Sequence, residues 1–210
     1  MWTFTSDPEE FAAVAEPFLL GDPVGNTVPL TVLADLRAGQ PAEDAFFAWW
    51  TAGGQVRAAA FRTPPAPLSL TRMPAEAVAP LVEALGGDLS MVVGPVEVTS
   101  EVVRLLGEPD RTVSERLYRL GAPAVPSVPG RGRLAGPGDF PLMVSWYQAF
   151  GEEVGLGEAH DVAERCEQVV LFTDLDNPTS NAVYRSIGYE PVSDHAHLTY
   201  TGSRSPATAG

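Results

Sequence analysis

The chain has 210 residues, enough for one large domain or two small ones, and 45% of them are hydrophobic. Its formal charge is −14, and all thirteen basic residues are arginine. This charge excludes the basic footprint that a nucleic-acid binder needs, and the absence of lysine excludes Schiff-base chemistry and a P-loop. No apolar run reaches the roughly 18 residues that span a bilayer, so no membrane partner is expected. An acidic surface favours cationic ligands such as amines.

The N-terminal segment and the cysteine content indicate the compartment. Residues 1–7 have neither the basic region nor the apolar region of a secretory signal. Cys166 is the single cysteine of the chain, so no internal disulfide can form, and we interpret it as a small core residue. These features predict a cytoplasmic location.

Apolar periodicity predicts that short helices and strands alternate through the first 120 residues, which is typical of an α/β fold. Gly53-Gly54 lies between two of the predicted strands and indicates a β-hairpin. The predicted helices are 8–20, 29–38, 74–85 and 100–106, and the predicted strands are 45–51, 56–62, 68–70, 89–93 and 116–120.

A run rich in proline and glycine, residues 121–138, predicts a linker or domain boundary. After it, Asp139 can cap a helix that ends at Ala149 and turns Leu142 and Trp146 towards a core.

The last third of the chain begins with a continuous apolar run at 169–173, which predicts a strand buried on both faces. Such a strand needs neighbours on both edges, so we expect it to pair with the first half of the chain, beside residues 89–93. An unpaired edge would instead favour a homo-oligomer. A short helix at 178–187 and an extended segment at 191–200 follow, and residues 202–210 predict a disordered tail.

The segment from Val169 to Tyr189 carries the most specific pattern. It consists of an apolar strand, Asn177, then Tyr184 seven residues later, and Gly188 followed by an aromatic residue. This pattern resembles the closing strand and helix of GNAT N-acetyltransferases, and the chain is similar to a tandem-type subgroup of bacterial GNAT proteins whose first half is a degenerate copy of the second.

That resemblance implies an acyl-CoA N-acyltransferase-like α/β fold, a mixed sheet with flanking helices. It further implies two degenerate halves, an N-terminal half at 1–125 and a shortened C-terminal half at 126–201, with 202–210 as the tail. The implied activity is transfer of an acetyl group from acetyl-CoA to an amine, on a small molecule or a peptide.

The resemblance also assigns roles to three residues. Asn177 would contact the pantetheine or diphosphate part of CoA, with Asn181 as a polar neighbour, and Tyr184 would be the general acid that protonates the leaving thiolate. Helix chemistry alone offers another interpretation, in which Asn177 is an N-cap and Tyr184 an amphipathic core residue.

The chain departs from the family at the Arg/Gln-x-x-Gly-x-Gly/Ala turn, whose backbone N–H groups bind the CoA diphosphate. Residues 151–168, where this turn should lie, number 18 and leave no room for the central strands and a second helix. A literal match at Arg133–Gly138 contains Pro137, which lacks an N–H, and no buried strand precedes it. The sequence therefore predicts a shortened second half and weak binding of CoA.

Other interpretations stay open. A non-catalytic remnant that binds a partner or ligand is the main alternative, and an error in the gene is a third. Asp194, His195 and His197 are interpreted as surface residues, so that no metal is predicted. Glu152 and Glu153 are interpreted as a solvated pair, although they also suggest a general base for an amine.

Overall fold

A computed structural model describes residues 1–41, 43–86, 89–124, 136–154 and 168–201 of the chain. Within these ranges the strands are β1 (Trp2–Thr5), β2 (Phe46–Ala52), β3 (Gln55–Arg62), β4 (Leu68–Leu70), β5 (Met91–Pro95), β6 (Arg111–Leu120), β7 (Val170–Asp174) and β8 (Tyr189–Thr199). The helices are α1 (Pro8–Leu19), α2 (Thr27–Arg37), α3 (Ala75–Leu85), α4 (Val96–Leu106), α5 (Phe140–Val154) and α6 (Pro178–Ser186).

All eight strands form one mixed sheet in the order β1-β2-β3-β4-β5-β8-β6-β7. The β4–β5 pair is parallel, and every other neighbouring pair is antiparallel. The predicted fold class, a mixed α/β sheet with flanking helices, is confirmed. The strand between β5 and β6 is β8, which comes from the far end of the chain.

Each face of the sheet has its own hydrophobic core, because successive side chains of a strand point to opposite faces. On one face, here called the α1–α2 face, Phe11 and Leu33 pack against Phe47 and Phe61 of the sheet. On the opposite face, α3 and α4 cover β4, β5 and β8, with buried side chains such as Val78, Val102 and Leu198.

The predicted strand at 169–173 is β7, and it pairs with β6 of the first half as expected. The expected position beside residues 89–93 is wrong, because β8 occupies that edge of β5. Among the described residues β7 is the last strand of the sheet, with β6 as its neighbour, and its first three residues are only partly buried.

The described residues of the chain divide into two compact units, 1–124 with 168–201, and the part of 125–167 that the structure describes. The first unit holds the whole sheet. The second consists of a 3₁₀ turn, Pro137–Asp139, and α5. The predicted division into halves at 125 and 126 stays a prediction, and the tail at 202–210 lies outside the described residues.

In α5 the side chains of Leu142 and Trp146, predicted to face a core, are 49% and 68% exposed, and their burial stays a prediction. The helix itself begins at Phe140, directly after the turn in which the Asp139 carboxylate accepts a hydrogen bond from Gly136 N at 2.7 Å. Within the described ranges, no helix is long and apolar enough to cross a membrane.

Candidate functional site

The segment that resembles GNAT proteins folds as its residues predict. Asn177 is the N-cap of α6, and its side-chain oxygen accepts a hydrogen bond from Ser180 N at 2.9 Å. Pro178 occupies the first helical position, where a missing N–H costs nothing. Gly188 ends the helix region with φ +102°, a value that side chains with a Cβ rarely adopt. The strand β8 starts at the next residue, Tyr189.

Asn181 lies one turn further along α6 and is 4% exposed. Its amide nitrogen donates to the backbone oxygens of Asp174 and Asn177, each at 2.8 Å. Its amide oxygen accepts a hydrogen bond from the Tyr118 hydroxyl at 2.9 Å. These bonds tie α6 to the end of β7 and to β6, so the geometry gives Asn181 a structural role, and its predicted role at a cofactor stays a prediction.

Tyr184 is partly buried between two other aromatic rings. Its ring centroid lies 6.4 Å from that of Tyr118 and 5.6 Å from that of Tyr189, the latter in an edge-on arrangement. Among the described residues its hydroxyl has no hydrogen-bond partner. Tyr184 and Asn181 therefore meet at Tyr118, whereas the Asn177 side chain is used for the helix cap.

The register of β6 places α6 on the face that carries α3 and α4. Leu117 pairs with Phe172 and Tyr118 with Leu171, so the side chains of Leu117 and Tyr118 point to opposite faces. Tyr118 contacts α6, and Phe172 contacts the ring of His195 on the other face. The Asn177, Asn181 and Tyr184 side chains are thus separated by the sheet from anything on the α1–α2 face.

A cavity lies on the α1–α2 face, at the carboxyl ends of the parallel strands β4 and β5. This end of a parallel pair is where α/β proteins commonly bind ligands. The inner chamber has a volume of about 240 Å³ and mostly apolar walls. Its polar wall consists of Glu115, His195 and His197, together with Asn26, Ser69 and Thr71.

Glu115 and His197 form an ion pair or hydrogen bond in this chamber, with 2.8 Å between Oε2 and Nε2. Register explains the contact, because β6 and β8 are neighbours and both side chains point to the α1–α2 face. The hydrogen bond from His197 holds the pKa of Glu115 below its ordinary value, although partial burial opposes this shift. Glu115 is therefore a carboxylate at neutral pH.

His195 is 8% exposed and forms a second polar contact of the chamber. Its Nε2 lies 3.0 Å from Ser193 Oγ, and its ring meets the Phe172 ring edge-on with centroids 5.2 Å apart. Burial lowers the pKa of His195, which makes the neutral imidazole the dominant form at neutral pH. The interpretation of His195 as a surface residue is wrong.

Asp194 points to the opposite face from His195 and His197, where the Arg116 guanidinium donates two hydrogen bonds to its carboxylate, at 2.6 and 2.8 Å. The three residues of the metal-like sequence pattern therefore do not converge. Across the described ranges, no group of three or more potential metal-binding side chains occurs.

An outer chamber of about 570 Å³ continues from the inner one and shares Gly25, Asn26 and His195 with it. Its charged side chains are Asp22, Arg57, Arg72 and Glu97. Arg72 pairs with Glu97 at 3.2 Å, and Asp22 accepts a hydrogen bond from Gly25 N at 3.0 Å. Arg57 has no ion-pair partner among the described residues.

The sequence predictions missed this cavity because its residues come from seven separate parts of the chain and share no motif. The alternation of Ser193, His195 and His197 along one strand was its local signal. Several other candidates cannot be placed. Arg133 and Cys166 lie outside the described residues, as do the side chains of Glu152 and Glu153.

Comparisons with known proteins give a structural likeness and no match to a family or a curated protein. Among solved structures, an acetyltransferase of the GNAT family from Colwellia psychrerythraea aligns over 96% of this chain and 100% of its own, with a TM-score of 0.48 and 7% sequence identity. A likeness of this extent carries no argument about what the chain binds or does.

Proposed function

We propose that the protein is a GNAT-type N-acetyltransferase that transfers an acetyl group from acetyl-CoA to an amine. The observation that carries the proposal is the fold of residues 170–189, in which strand, Asn177 cap, helix, Gly188 stop and Tyr189 follow one another in the order that the sequence resemblance predicts.

In the proposed reaction the neutral amine attacks the thioester carbonyl directly, the new C–N bond forms, and its nitrogen loses a proton to solvent. The C–S bond then breaks, and CoA leaves as a thiolate. Tyr184 donates its proton to that thiolate. Its partial exposure and the absence of a hydrogen-bond partner for its hydroxyl among the described residues support this role, because a phenol that is committed to an internal hydrogen bond would be a poorer proton donor. Asn177 is the proposed contact to the pantetheine or diphosphate part of CoA.

The affinity for acetyl-CoA should be weak, with a dissociation constant above about 1 µM, or about −8 kcal/mol. The reason is that the sequence lacks a phosphate-binding turn in a suitable context. Calorimetric titration with acetyl-CoA measures this constant. Sub-micromolar binding would show that the chain holds the diphosphate by another route and would refute the expectation of a weakened site.

Tyr184→Phe should lower the rate of acetyl transfer about 10²-fold or more, since general acid catalysis contributes about 10²–10⁴-fold. The assay is release of free CoA thiol from acetyl-CoA in the presence of a panel of amines and short peptides, across the pH range. Tyr189→Phe is the matched control, because it removes a hydroxyl from the neighbouring ring. Equal rates for both variants at every pH would remove Tyr184 from the mechanism.

A non-catalytic binding module is the second candidate function. It is favoured by one observation, the complete internal use of the Asn181 amide, which leaves it no group to offer to a cofactor. Absence of thiol release with every amine, together with measurable ligand binding to the folded protein, would select this candidate.

A further inference from the structure

A serine and a histidine lie side by side where the two chambers of the cavity meet. Ser193 Oγ is 3.0 Å from His195 Nε2, since residues two apart in β8 point to the same face of the sheet. Both side chains line the outer chamber, and His195 also lines the inner one. A hydroxyl within hydrogen-bond reach of an imidazole is the arrangement in which a histidine takes the proton of a serine nucleophile.

The surroundings of His195 fix the position of its ring and its charge. The side chain is 8% exposed, and its ring meets the Phe172 ring edge-on, with centroids 5.2 Å apart and planes at 86°. Burial holds the pKa of His195 below its ordinary value, so the imidazole is neutral at neutral pH. In the tautomer that carries its proton on Nδ1, the Nε2 atom accepts the hydrogen bond from the Ser193 hydroxyl and can act as its base.

The N-terminus of α4 supplies hydrogen-bond donors at the same chamber. Pro95 pairs with His195, so α4 begins next to the segment of β8 that carries Ser193. Pro95 and Glu97 line the outer chamber together with Ser193. Among the described residues no side chain caps α4, so the N–H groups of its first turn lack an acceptor within the helix. Such N–H groups stabilise the negative oxygen that develops in acyl transfer.

The composition of the chambers indicates an uncharged substrate with a short apolar acyl chain. The charged side chains of the outer chamber are two carboxylates and two guanidiniums, so their formal charges balance. The inner chamber of about 240 Å³ has mostly apolar walls. An acyl chain that enters it is stabilised in proportion to the apolar area that it buries.

We propose that Ser193 and His195 form a nucleophile–base pair that hydrolyses short-chain acyl esters, with the acyl chain in the inner chamber and the alcohol in the outer one. Ser193 Oγ attacks the carbonyl carbon of the ester, and His195 Nε2 takes the hydroxyl proton. The bond to the alcohol oxygen then breaks, and the alcohol leaves with this proton. Water attacks the acyl-serine with the same help from His195, which releases the carboxylic acid and restores Ser193. This activity does not depend on acetyl transfer from acetyl-CoA.

Release of para-nitrophenol from para-nitrophenyl acetate and para-nitrophenyl butyrate tests the activity on the full-length protein at neutral pH. Ser193→Ala should lower kcat/KM for the butyrate ester about 10²-fold or more, because it removes the nucleophile that His195 activates. Ser186→Ala is the matched control, since Ser186 is an exposed serine of α6 whose hydroxyl donates to the Val183 carbonyl, and its rate should be unchanged. The butyrate ester should have a kcat/KM about tenfold above that of the acetate ester, because it buries two more methylene groups.

A fluorophosphonate probe gives a second readout, because it bonds covalently to a serine that a neighbouring base activates. Peptide mass spectrometry should find the probe on Ser193 of the unmodified protein. The label should be kept in Ser186→Ala, lost from this position in Ser193→Ala, and reduced in His195→Asn, which removes the base. Thermal melts verify that the variants are folded, and the result for Ser193→Ala decides where His195→Asn is not.

Each outcome has a defined consequence. Ester hydrolysis and labelling that both require Ser193 support the proposal. An equal rate in Ser193→Ala, hydrolysis no faster than the uncatalysed reaction, or a label on another residue overturns it. Equal kcat/KM for the two esters overturns the placement of the acyl chain. Because neither readout uses acetyl-CoA, a protein that hydrolyses esters and transfers no acetyl group would refute only the proposed function, and the converse result would refute only this pair.

Discussion

Replacement of Asn181 distinguishes a structural role from a cofactor role. Asn181→Ala removes three hydrogen bonds, from the amide nitrogen to the backbone oxygens of Asp174 and Asn177 and from the Tyr118 hydroxyl to the amide oxygen. Each contributes a net stabilisation of about 1 kcal/mol. The larger penalty for an orphaned buried group does not apply, since Tyr118 still accepts from Arg185 Nε at 3.2 Å and both carbonyls keep a backbone donor.

The free energy of unfolding should therefore fall by about 3 kcal/mol, which is a decrease in Tm of roughly 6–12 °C for a chain of this size. Denaturant titration and thermal melts measure both quantities. Asn177→Ala is the matched control, because it removes a single cap bond to Ser180 N and should cost only about 1 kcal/mol.

A double-mutant cycle with Tyr118→Phe isolates one of the three bonds. The coupling free energy between Asn181 and Tyr118 should be about 1 kcal/mol, within the range found for residues in direct contact. A stability loss below about 1 kcal/mol for Asn181→Ala, accompanied by a loss of acetyl-CoA affinity, would refute the structural interpretation and restore the cofactor role.

Three further predictions follow from the same structure. Gly188→Ala should lower the free energy of unfolding by about 2–5 kcal/mol, because the new Cβ strains the backbone and clashes with the Ala122 carbonyl. Gly39→Ala is the control, since Gly39 has a similar positive φ but open space around it, and it should cost only about 1–3 kcal/mol. Equal losses for the two variants in denaturant titrations would exclude the clash. The hydrogen bond from Arg116 depresses the pKa of Asp194, so its stabilisation is present above about pH 4 and is lost as the pH falls through the lower folded value. Asp194→Asn should therefore make the free energy of unfolding depend less on pH below about pH 4. An unchanged pH dependence in this variant would contradict the prediction. Residues 1–124 expressed alone should aggregate, since they lack β8 between β5 and β6, and a folded monomer in light scattering would show the opposite.

The local pattern of apolar residues, glycine and proline was sufficient to predict most of the strands and helices. The hairpin β2–β3 forms around Gly53-Gly54, where both glycines have positive φ, as that dipeptide between two apolar strands predicts. The helix α4 begins at Val96, four residues before the predicted start, because Pro95 serves as its N-cap. The first strand, Trp2–Thr5, was missed, since four residues carry too little periodicity to be recognised.

The order of strands could not be predicted, because it depends on contacts between distant parts of the chain. Ala196 pairs with Gly94 on one side and with Ser114 on the other. Neither pairing has a local signal. The sequence of a β-strand does not identify its neighbouring strand, because many strands share the same apolar alternation. The sequence pattern therefore could not predict the position of β8, or the cavity wall that His195 and His197 form.

The residues around α6 and the cavity on the α1–α2 face share the strands of one sheet and are nevertheless separable. Leu117 and Tyr118 are adjacent in β6, yet one contributes to the α1–α2 face and the other anchors α6 through Asn181. Since alternate residues of a strand point to opposite faces, a substitution in one site need not reach the other. The residues that resemble a known family lie on one face, and the cavity with the ionised Glu115 lies on the other. A substitution that changes acyl transfer at Tyr184 is thus no evidence about the cavity around Glu115, and each has to be measured by itself.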